Sequence, residues 1–349
     1  MLYETVGDLD VEIEGYDLTR RERDTSSGFT RATTTVSLHG DGKTGRGEDV
    51  TYDNDAHDEL RAMSQEFPVT GTYKLDNFST QVSELDLFLG NEPGQSAFRN
   101  YRQWAFESAA LDLGLKQADT TLADRLGREY RPVRFVVSTR LDDPPTGERV
   151  LEWLDRDSAL EFKLDPTSDW SADVIARLAA TDAVRVLDLK GQYHGTTVDQ
   201  PADPGLYKRV VEGFPDALIE DPALTDETRP LFEGHEDRVT WDYPIQSVET
   251  VENLPWEPKW LNIKPSRFGS VKALFDTLDY CDEHGIQMFG GGQFELDVGR
   301  EHLHAIASLF YPDAPNDVAP SGYNDPEPRD DLPSSPLDTP ADSRGFEWR

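Results

Sequence analysis

From about residue 132 the chain repeats one local pattern, a short apolar run followed by a segment with amphipathic helical spacing. The runs fall at 133–137, 160–164, 184–187, 217–219, 238–241, 260–263 and 286–289, with helical segments such as 171–180 and 270–284 between them. Strand–helix alternation repeated this often predicts a parallel sheet. Seven or eight such units suit a barrel better than an open sheet.

A parallel barrel gathers every carboxyl-terminal strand end on one face, where active sites form. Here those ends are charged. Lys163 closes one run, and Asp188, Glu220, Asp242 and Lys264 close later ones, at gaps of 25, 32, 22 and 22 residues. Each gap is about one strand–helix unit, so three carboxylates flanked by two lysines share one mouth. Three acids on consecutive strands suit a hard divalent cation with oxygen ligands, Mg²⁺ above all. Charged residues often follow strands because loops are solvated. Lysine is scarce, however, at 9 of 349 residues, and two of the nine bracket the acid series.

The remaining chain divides into two zones. Residues 1–130 mix strands and helices: a β-rich run at 33–39 enters the turn Gly40-Asp41-Gly42, and 46–52 reads as the returning strand. A helix is expected at about 98–117, with Phe98, Tyr101, Trp104, Leu111 and Leu115 at helical spacing. Residues 316–349 are rich in Pro, Asp and Ser and read as a tail packed on the cap or barrel, with Phe346 and Trp348 as anchors. The expected organisation is a capping domain over 1–130, a barrel over 131–315 and this tail.

Charge narrows the partners. The chain carries 68 Asp and Glu against 34 Lys and Arg, a formal charge of −34. Such acidity repels phosphate, which argues against nucleic acid and anionic membrane surfaces. Excess carboxylate with scarce lysine is the surface chemistry of proteins living in molar salt, where at about 1 M the Debye length is only ~3 Å. A single cysteine, Cys281, excludes an intrachain disulfide and a multi-thiolate metal site. Met1-Leu2-Tyr3-Glu4 opens no apolar signal region, and no run approaches the ~18 apolar residues of a membrane span. The expectation is a soluble, cytoplasmic homo-oligomer acting on a small-molecule carboxylate.

Flanking sequence adds a resemblance. Ile219-Glu220-Asp221-Pro222 resembles the fourth-strand metal-ligand motif of the enolase superfamily, specifically its muconate-lactonizing-enzyme-like branch. Val186-Leu187-Asp188 and Thr240-Trp241-Asp242 are similar to the third- and fifth-strand ligands. Asn262-Ile263-Lys264-Pro265-Ser266-Arg267-Phe268-Gly269 resembles the sixth-strand lysine segment. The stretch from Phe289 through Gly290-Gly291-Gly292-Gln293-Phe294-Glu295 to Gly299 resembles the glycine-rich region around the last-strand glutamate, and 106–113 the long helix joining cap to barrel.

The resemblance implies an α/β fold, a modified TIM barrel of (β/α)7β type with an N-terminal α+β capping domain. It implies Mg²⁺ on Asp188, Glu220 and Asp242, with Lys163 and Lys264 as acid–base groups. The reaction class is a lyase or isomerase that abstracts the α-proton of a carboxylate to give a metal-stabilised ene-diolate, as a cycloisomerase, dehydratase or racemase/epimerase. A catalytic lysine needs a lowered pKa, expected here from burial and nearby positive charge. Two lysines, three acids and the metal leave a formal charge of about +1, suited to an anionic substrate.

Three departures from the family pattern stand out. The second strand reads Glu161-Phe162-Lys163 where the family often has Lys-x-Lys. Asp188 is followed by Leu189-Lys190, so Lys190 is expected to supply the charge missing at 161, and Asp242 by Tyr243-Pro244. Substrate contacts are expected from Lys190, Glu295, Gln293 and Arg20, the last as part of an Arg20, Arg21, Arg23 cluster reaching a second carboxylate. His302-x-His304 is read as no metal site, because residues two apart on a helix face apart. Gly290-Gly291-Gly292 is read as a tight turn under the site, and Cys281 as inert packing. The competing readings are a catalytically silent metal- and carboxylate-binding protein, and a barrel hydrolase, which the lack of histidine at the ligand positions disfavours.

Overall fold

The computed structural model describes residues 1–63, 66–196 and 198–348. The amino-terminal part carries five strands: β1 (Asp10–Ile13), β2 (Gly15–Asp24), β3 (Thr30–Gly40), β4 (Lys43–Asp49) and β5 (Gly71–Lys74). β2, β3 and β4 form an antiparallel meander, and β1 pairs antiparallel with β5. The β3–β4 hairpin turns at Asp41 and Gly42, both at positive φ, which the short polar and glycine side chains tolerate.

The helix Ala97–Gln117 packs along β4, and the packing needs glycine. A Cβ on Gly45 or Gly47 would collide with the backbone of that helix at Ala109 and Ala105. The helix is buried on nearly every side, so its apolar residues are not confined to one stripe.

Seven parallel strands follow in sequential order: β6 (Val137–Thr139), β7 (Phe162–Leu164), β8 (Val184–Asp188), β9 (Leu218–Glu220), β10 (Val239–Trp241), β11 (Trp260–Ile263) and β12 (Gln287–Gly290). Helices connect them, and one hydrophobic core runs from the cap through the barrel shell. A smaller cluster of Val186, Leu218 and Phe289 fills the barrel's own interior. Two isolated parallel bridges, Phe135 to Asn316 and Gly291 to Asp317, place residues 316–317 between the two ends of the seven-stranded sheet.

The first expected strand is displaced. The run 133–137 contributes only Val137 to β6. The N–H groups of Val133, Arg134 and Val136 donate instead to Leu337, Pro312 and Asn316, so the carboxyl-terminal segment takes this pairing. That segment is pinned elsewhere too. Phe346 lies flat on His302 at 4.0 Å, Trp348 meets Tyr130 edge-on at 5.5 Å, and Glu347 bridges Arg46 and Lys116 at 2.8 and 2.7 Å. No helix among the described residues is long and apolar enough to cross a membrane.

Candidate active site

The strand ends deliver their charges to one place. Asp188 and Glu220 are the last residues of β8 and β9, and Asp242 and Lys264 directly follow β10 and β11. In parallel register these ends lie side by side. Asp188, Glu220 and Asp242 are fully buried, and one oxygen from each lies within 4.8 Å of the others. Lys163 Nζ contacts Glu220 and stands 3.4 Å from Asp188, at one end of this triad. Lys264 Nζ stands 2.9 Å from Asp242, at the other end.

Each carboxylate is held by groups of this chain. Asn262 donates to Glu220 Oε2 at 3.1 Å. The Lys190 backbone N–H donates to Asp188 Oδ1 at 3.1 Å, and its ammonium pairs with the same carboxylate. Arg267 Nε donates to Asp242 Oδ1 at 3.0 Å, and the Tyr193 hydroxyl donates to Oδ2 at 2.7 Å. The set is oxygen-only, buried and fixed in orientation, which fits a hard divalent cation that keeps several water ligands.

Asp221 is a further buried carboxylate. It sits at positive φ and accepts the N–H groups of Asp242 and Tyr243 at 2.9 and 2.8 Å, tying the ends of β9 and β10 together. Burial and the neighbouring Asp242 and Asp188 push its pKa up to about 7.

The electrostatics correct one expectation. Burial works to lower the pKa of Lys163, but Glu220, Asp188, Asp317 and Asp242 outweigh it and hold the ammonium well above its ordinary value. The companion cation at 161 is absent, and acids face the lysine instead. Burial would raise Asp188 and Asp242, yet Lys190 and Lys163 hold the first below the usual carboxylate range, and Arg267 and Lys264 the second. For Glu220 burial prevails, and its pKa lies well above the ordinary value.

The proposed substrate residues divide. Lys190 joins the cluster through Asp188 and also stands 3.6 Å from Asp165. Gln293 takes the Tyr52 hydroxyl on its carbonyl at 3.0 Å and donates to the Tyr101 hydroxyl at 3.2 Å. Glu295 accepts the Gln293 N–H at 2.7 Å and pairs with Arg300 at 3.4 Å. Arg20 is committed elsewhere: its guanidinium pairs with Glu22 and with Asp58 at 3.2 Å. Arg21 pairs with Asp297, and Arg23 with Ser321 and Asp325.

Glu161 pairs with Arg134 and Arg185, which lie toward the amino ends of β6 and β8. Gly291 packs under Lys264, where an added Cβ would stand 2.7 Å from its Cε. His302 and His304 do not converge on a ligand site: His302 stacks on Phe346 and His304 bonds the Val318 carbonyl at 2.7 Å. Cys281 is buried, which pushes its thiol up to about 12.

Sequence reading missed Arg267, Tyr193 and Asp317. Arg267 lay inside the Lys264 segment, three residues on, and the one-turn helix Pro265–Phe268 folds it back onto Asp242. Asp317 lay in what read as tail, and it stands 3.4 Å from Lys163 because residues 316–317 lie between the sheet's ends.

Comparison with known proteins agrees with this architecture. Residues 129–325 match the C-terminal domain of a domain of unknown function, DUF8230, and residues 4–125 match its N-terminal domain. The chain is 26% identical over 303 residues to o-succinylbenzoate synthase of Geobacillus stearothermophilus, covering 81% of this chain and 76% of that protein. Muconate cycloisomerase from Pseudomonas fluorescens superposes at a TM-score of 0.64 with 18% identity, over 88% of this chain and 87% of that one. A dipeptide epimerase from Methylococcus capsulatus, complexed with Mg ion, superposes at 0.67 with 16% identity, over 87% and 89%. The chain thus belongs to the DUF8230 family, and its fold is that of the enolase superfamily, with muconate lactonizing enzymes among its structural neighbours.

Proposed function

We propose that this chain is a Mg²⁺-dependent lyase or isomerase that removes the α-proton of a carboxylate substrate, by cycloisomerisation, dehydration, or racemisation or epimerisation. One observation carries the reading. Three buried carboxylates from consecutive strands converge within 4.8 Å, with a buried lysine at either end. The names of the similar proteins, a cycloisomerase, an epimerase and o-succinylbenzoate synthase, point the same way.

Mg²⁺ held by Asp188, Glu220 and Asp242 would supply electrophilic stabilisation of the substrate carboxylate and of charge developing on it. The chain's own residues do the rest. Lys163 and Lys264 stand at different ends of the triad, so a carbon acid lying between them meets an amine on two sides. We assign Lys163 as the principal base and Lys264 as its partner, either as acid or as fixed positive charge. Once the three triad carboxylates are otherwise engaged, Lys163 loses most of the negative field that now holds its proton. Asn262, Arg267 and Tyr193 keep the carboxylates from rotating, which holds the reacting geometry. Burial of the cluster strengthens every charge interaction within it.

The test is a carboxylic-acid library incubated in deuterated water with Mg²⁺ and high KCl, read by mass spectrometry. Deuterium uptake at a carbon next to a carboxylate, dependent on Mg²⁺ and lost in Lys163→Ala or Lys264→Ala, is the expected result. Tight Mg²⁺ binding without exchange in any acid would instead identify a silent binding protein.

A further inference from the structure

Lys190 sits between two carboxylates. Its ammonium pairs with Asp188, a member of the triad, and stands 3.6 Å from Oδ1 of Asp165, which is outside it. Asp165 directly follows β7, and Leu164 lies opposite Leu187 in the β7–β8 register, so Asp165 and Asp188 hold neighbouring positions at the mouth. The two-residue period of a strand puts Asp165 on the same face as Lys163, one layer further out. The side chains of Lys190 and Asp165 are 14% and 15% exposed, whereas Asp188 is fully buried, so the two acids form an inner and a rim position for one ammonium.

The backbone around Lys190 is fixed. The N–H groups of Leu189 and Gly191 donate to the carbonyls of Glu220 and Asp221 at 2.9 and 2.8 Å, and a Cβ on Gly191 would stand 2.2 Å from the Ala223 nitrogen. Lys190 itself takes a left-handed φ of 54°, and its N–H donates to Asp188 Oδ1 at 3.1 Å. Asp188 therefore keeps a backbone donor wherever the ammonium goes. What can move is the lysine side chain, a flexible stem ending in a compact point charge. A divalent cation at the triad needs an oxygen of Asp188 and repels an ammonium beside it. Asp165 is placed to receive that ammonium: Arg140 Nε holds its Oδ2 at 3.1 Å, and its Oδ1 faces Lys190.

We propose that Lys190 is a tethered cation that competes with the divalent metal for Asp188, and that Asp165 receives it when the metal binds. Without metal, the chain's own ammonium offsets the repulsion among three buried carboxylates. With metal, Lys190 and Asp165 neutralise each other at the rim. Metal affinity is then set by two residues outside the ligand set. This deepens the metal-dependent reading and rests on the triad being the metal site. A lysine that only oriented Asp188 would act in the opposite direction, because its loss would weaken metal binding.

The experiment is Mg²⁺ calorimetry on the full chain at fixed pH and ionic strength, with Lys190→Met, Asp165→Asn and the double variant. Lys190→Met should bind Mg²⁺ about tenfold tighter than wild type, the scale of one charge-assisted hydrogen bond. Asp165→Asn should bind it about tenfold weaker, because Lys190 then has only Asp188 to pair with. In the Lys190→Met background the same Asp165→Asn change should alter affinity less than about threefold, and this non-additivity reads the exchange directly. Lys190→Gln takes the place of Lys190→Met in the cycle if the latter does not fold. Unchanged or weaker Mg²⁺ binding on loss of the lysine would overturn the competition. An Asp165→Asn effect of equal size in both backgrounds is plain charge removal and would overturn the receiving role. In both cases Mg²⁺ binding by the wild type leaves the metal-dependent reading standing. Absence of Mg²⁺ binding by the wild type and by every variant removes that reading and the exchange with it.

Discussion

Glu48 is where the cap grips the active-site loop, and its removal should loosen that loop in a graded way. The side chain is buried at the end of β4 and accepts three backbone N–H groups from across the domain boundary: Leu296 on Oε1 at 2.7 Å, Asp297 and Gly299 on Oε2 at 3.0 and 2.8 Å. Those donors end the stretch that carries Gly291, Gln293 and Glu295. Glu48→Ala leaves three donors without their acceptor, at ~1–3 kcal/mol each, so a loss of at least about 3 kcal/mol is expected. Glu48→Gln can keep the Oε2 pair, but its amide nitrogen then faces the Leu296 N–H. One stranded donor costs ~1–3 kcal/mol, roughly a third of the alanine effect. Urea unfolding measures the totals, and hydrogen exchange of residues 291–299 locates them. Because Gly291 packs against Lys264, both variants should also slow α-proton exchange, alanine more than glutamine. Two variants within about 0.5 kcal/mol of wild type, with loop protection unchanged, would refute the idea that this carboxylate holds the loop.

Other perturbations test the remaining parts. Asp188→Asn, Glu220→Gln and Asp242→Asn should each weaken Mg²⁺ binding by calorimetry, and undiminished binding in all three would discard the ligand assignment. Without Mg²⁺, Asp242→Asn should also destabilise the fold by ~3–5 kcal/mol, because Lys264 and Arg267 lose a buried partner. Lys163→Ala and Lys264→Ala should each slow turnover by ~10²–10⁴, and wild-type rates in both folded variants would sink the mechanism. Glu107 is buried, and burial raises its pKa to about 7 despite hydrogen bonds from Ser79 and the Val271 N–H. A raised folded-state value means its contribution is full below the unfolded value near 4.5 and is lost as pH rises to 7, by about 3 kcal/mol. Glu107→Gln should flatten the stability profile across that window, and an unchanged slope would contradict the shift. Melting temperature should rise between about 0.1 and 2 M KCl as −34 of charge is screened, and a flat profile would remove the salt-adapted reading.

The barrel was legible because its period is local. Each strand is a short apolar run, and the charge at its end is one residue away, so Asp188, Glu220, Asp242 and Lys264 could be aligned by counting. What was not legible depends on long-range pairing. The run 133–137 reads as a full strand, yet its N–H groups are taken by residues near 312, 316 and 337. The same arrangement brings Asp317 to Lys163 out of a segment whose composition reads as tail. The pairing of Arg20 shows the same limit in part. Glu22 shares a strand face with it at two residues' spacing, but Asp58 is thirty-eight residues away and only the fold brings it there. Glu48 gave no signal at all, because its role is to accept backbone N–H groups, and backbone donors carry no sequence.

The departures from the family pattern become coherent when charge is followed through space. Glu161 does not leave a negative charge beside Lys163: it is neutralised by Arg134 and Arg185. At the mouth, four cationic groups, Lys163, Lys190, Lys264 and Arg267, interlock with the triad and Asp317, while Asp165 at the rim shares Lys190. Four cations here face five carboxylates, the same balance of one negative charge as three strand-end acids against two lysines. The extra cations come from Lys190, two residues past Asp188, and Arg267, three past Lys264. Both are tied to carboxylates, so neither is free to attract a substrate anion by itself. A divalent charge held at the triad would turn this slightly negative site net positive and weaken the hold of these acids on the lysines. On the proposed reading, substrate affinity and lysine basicity therefore depend on the same three carboxylates. Losing any one of them should impair both, even where the fold survives.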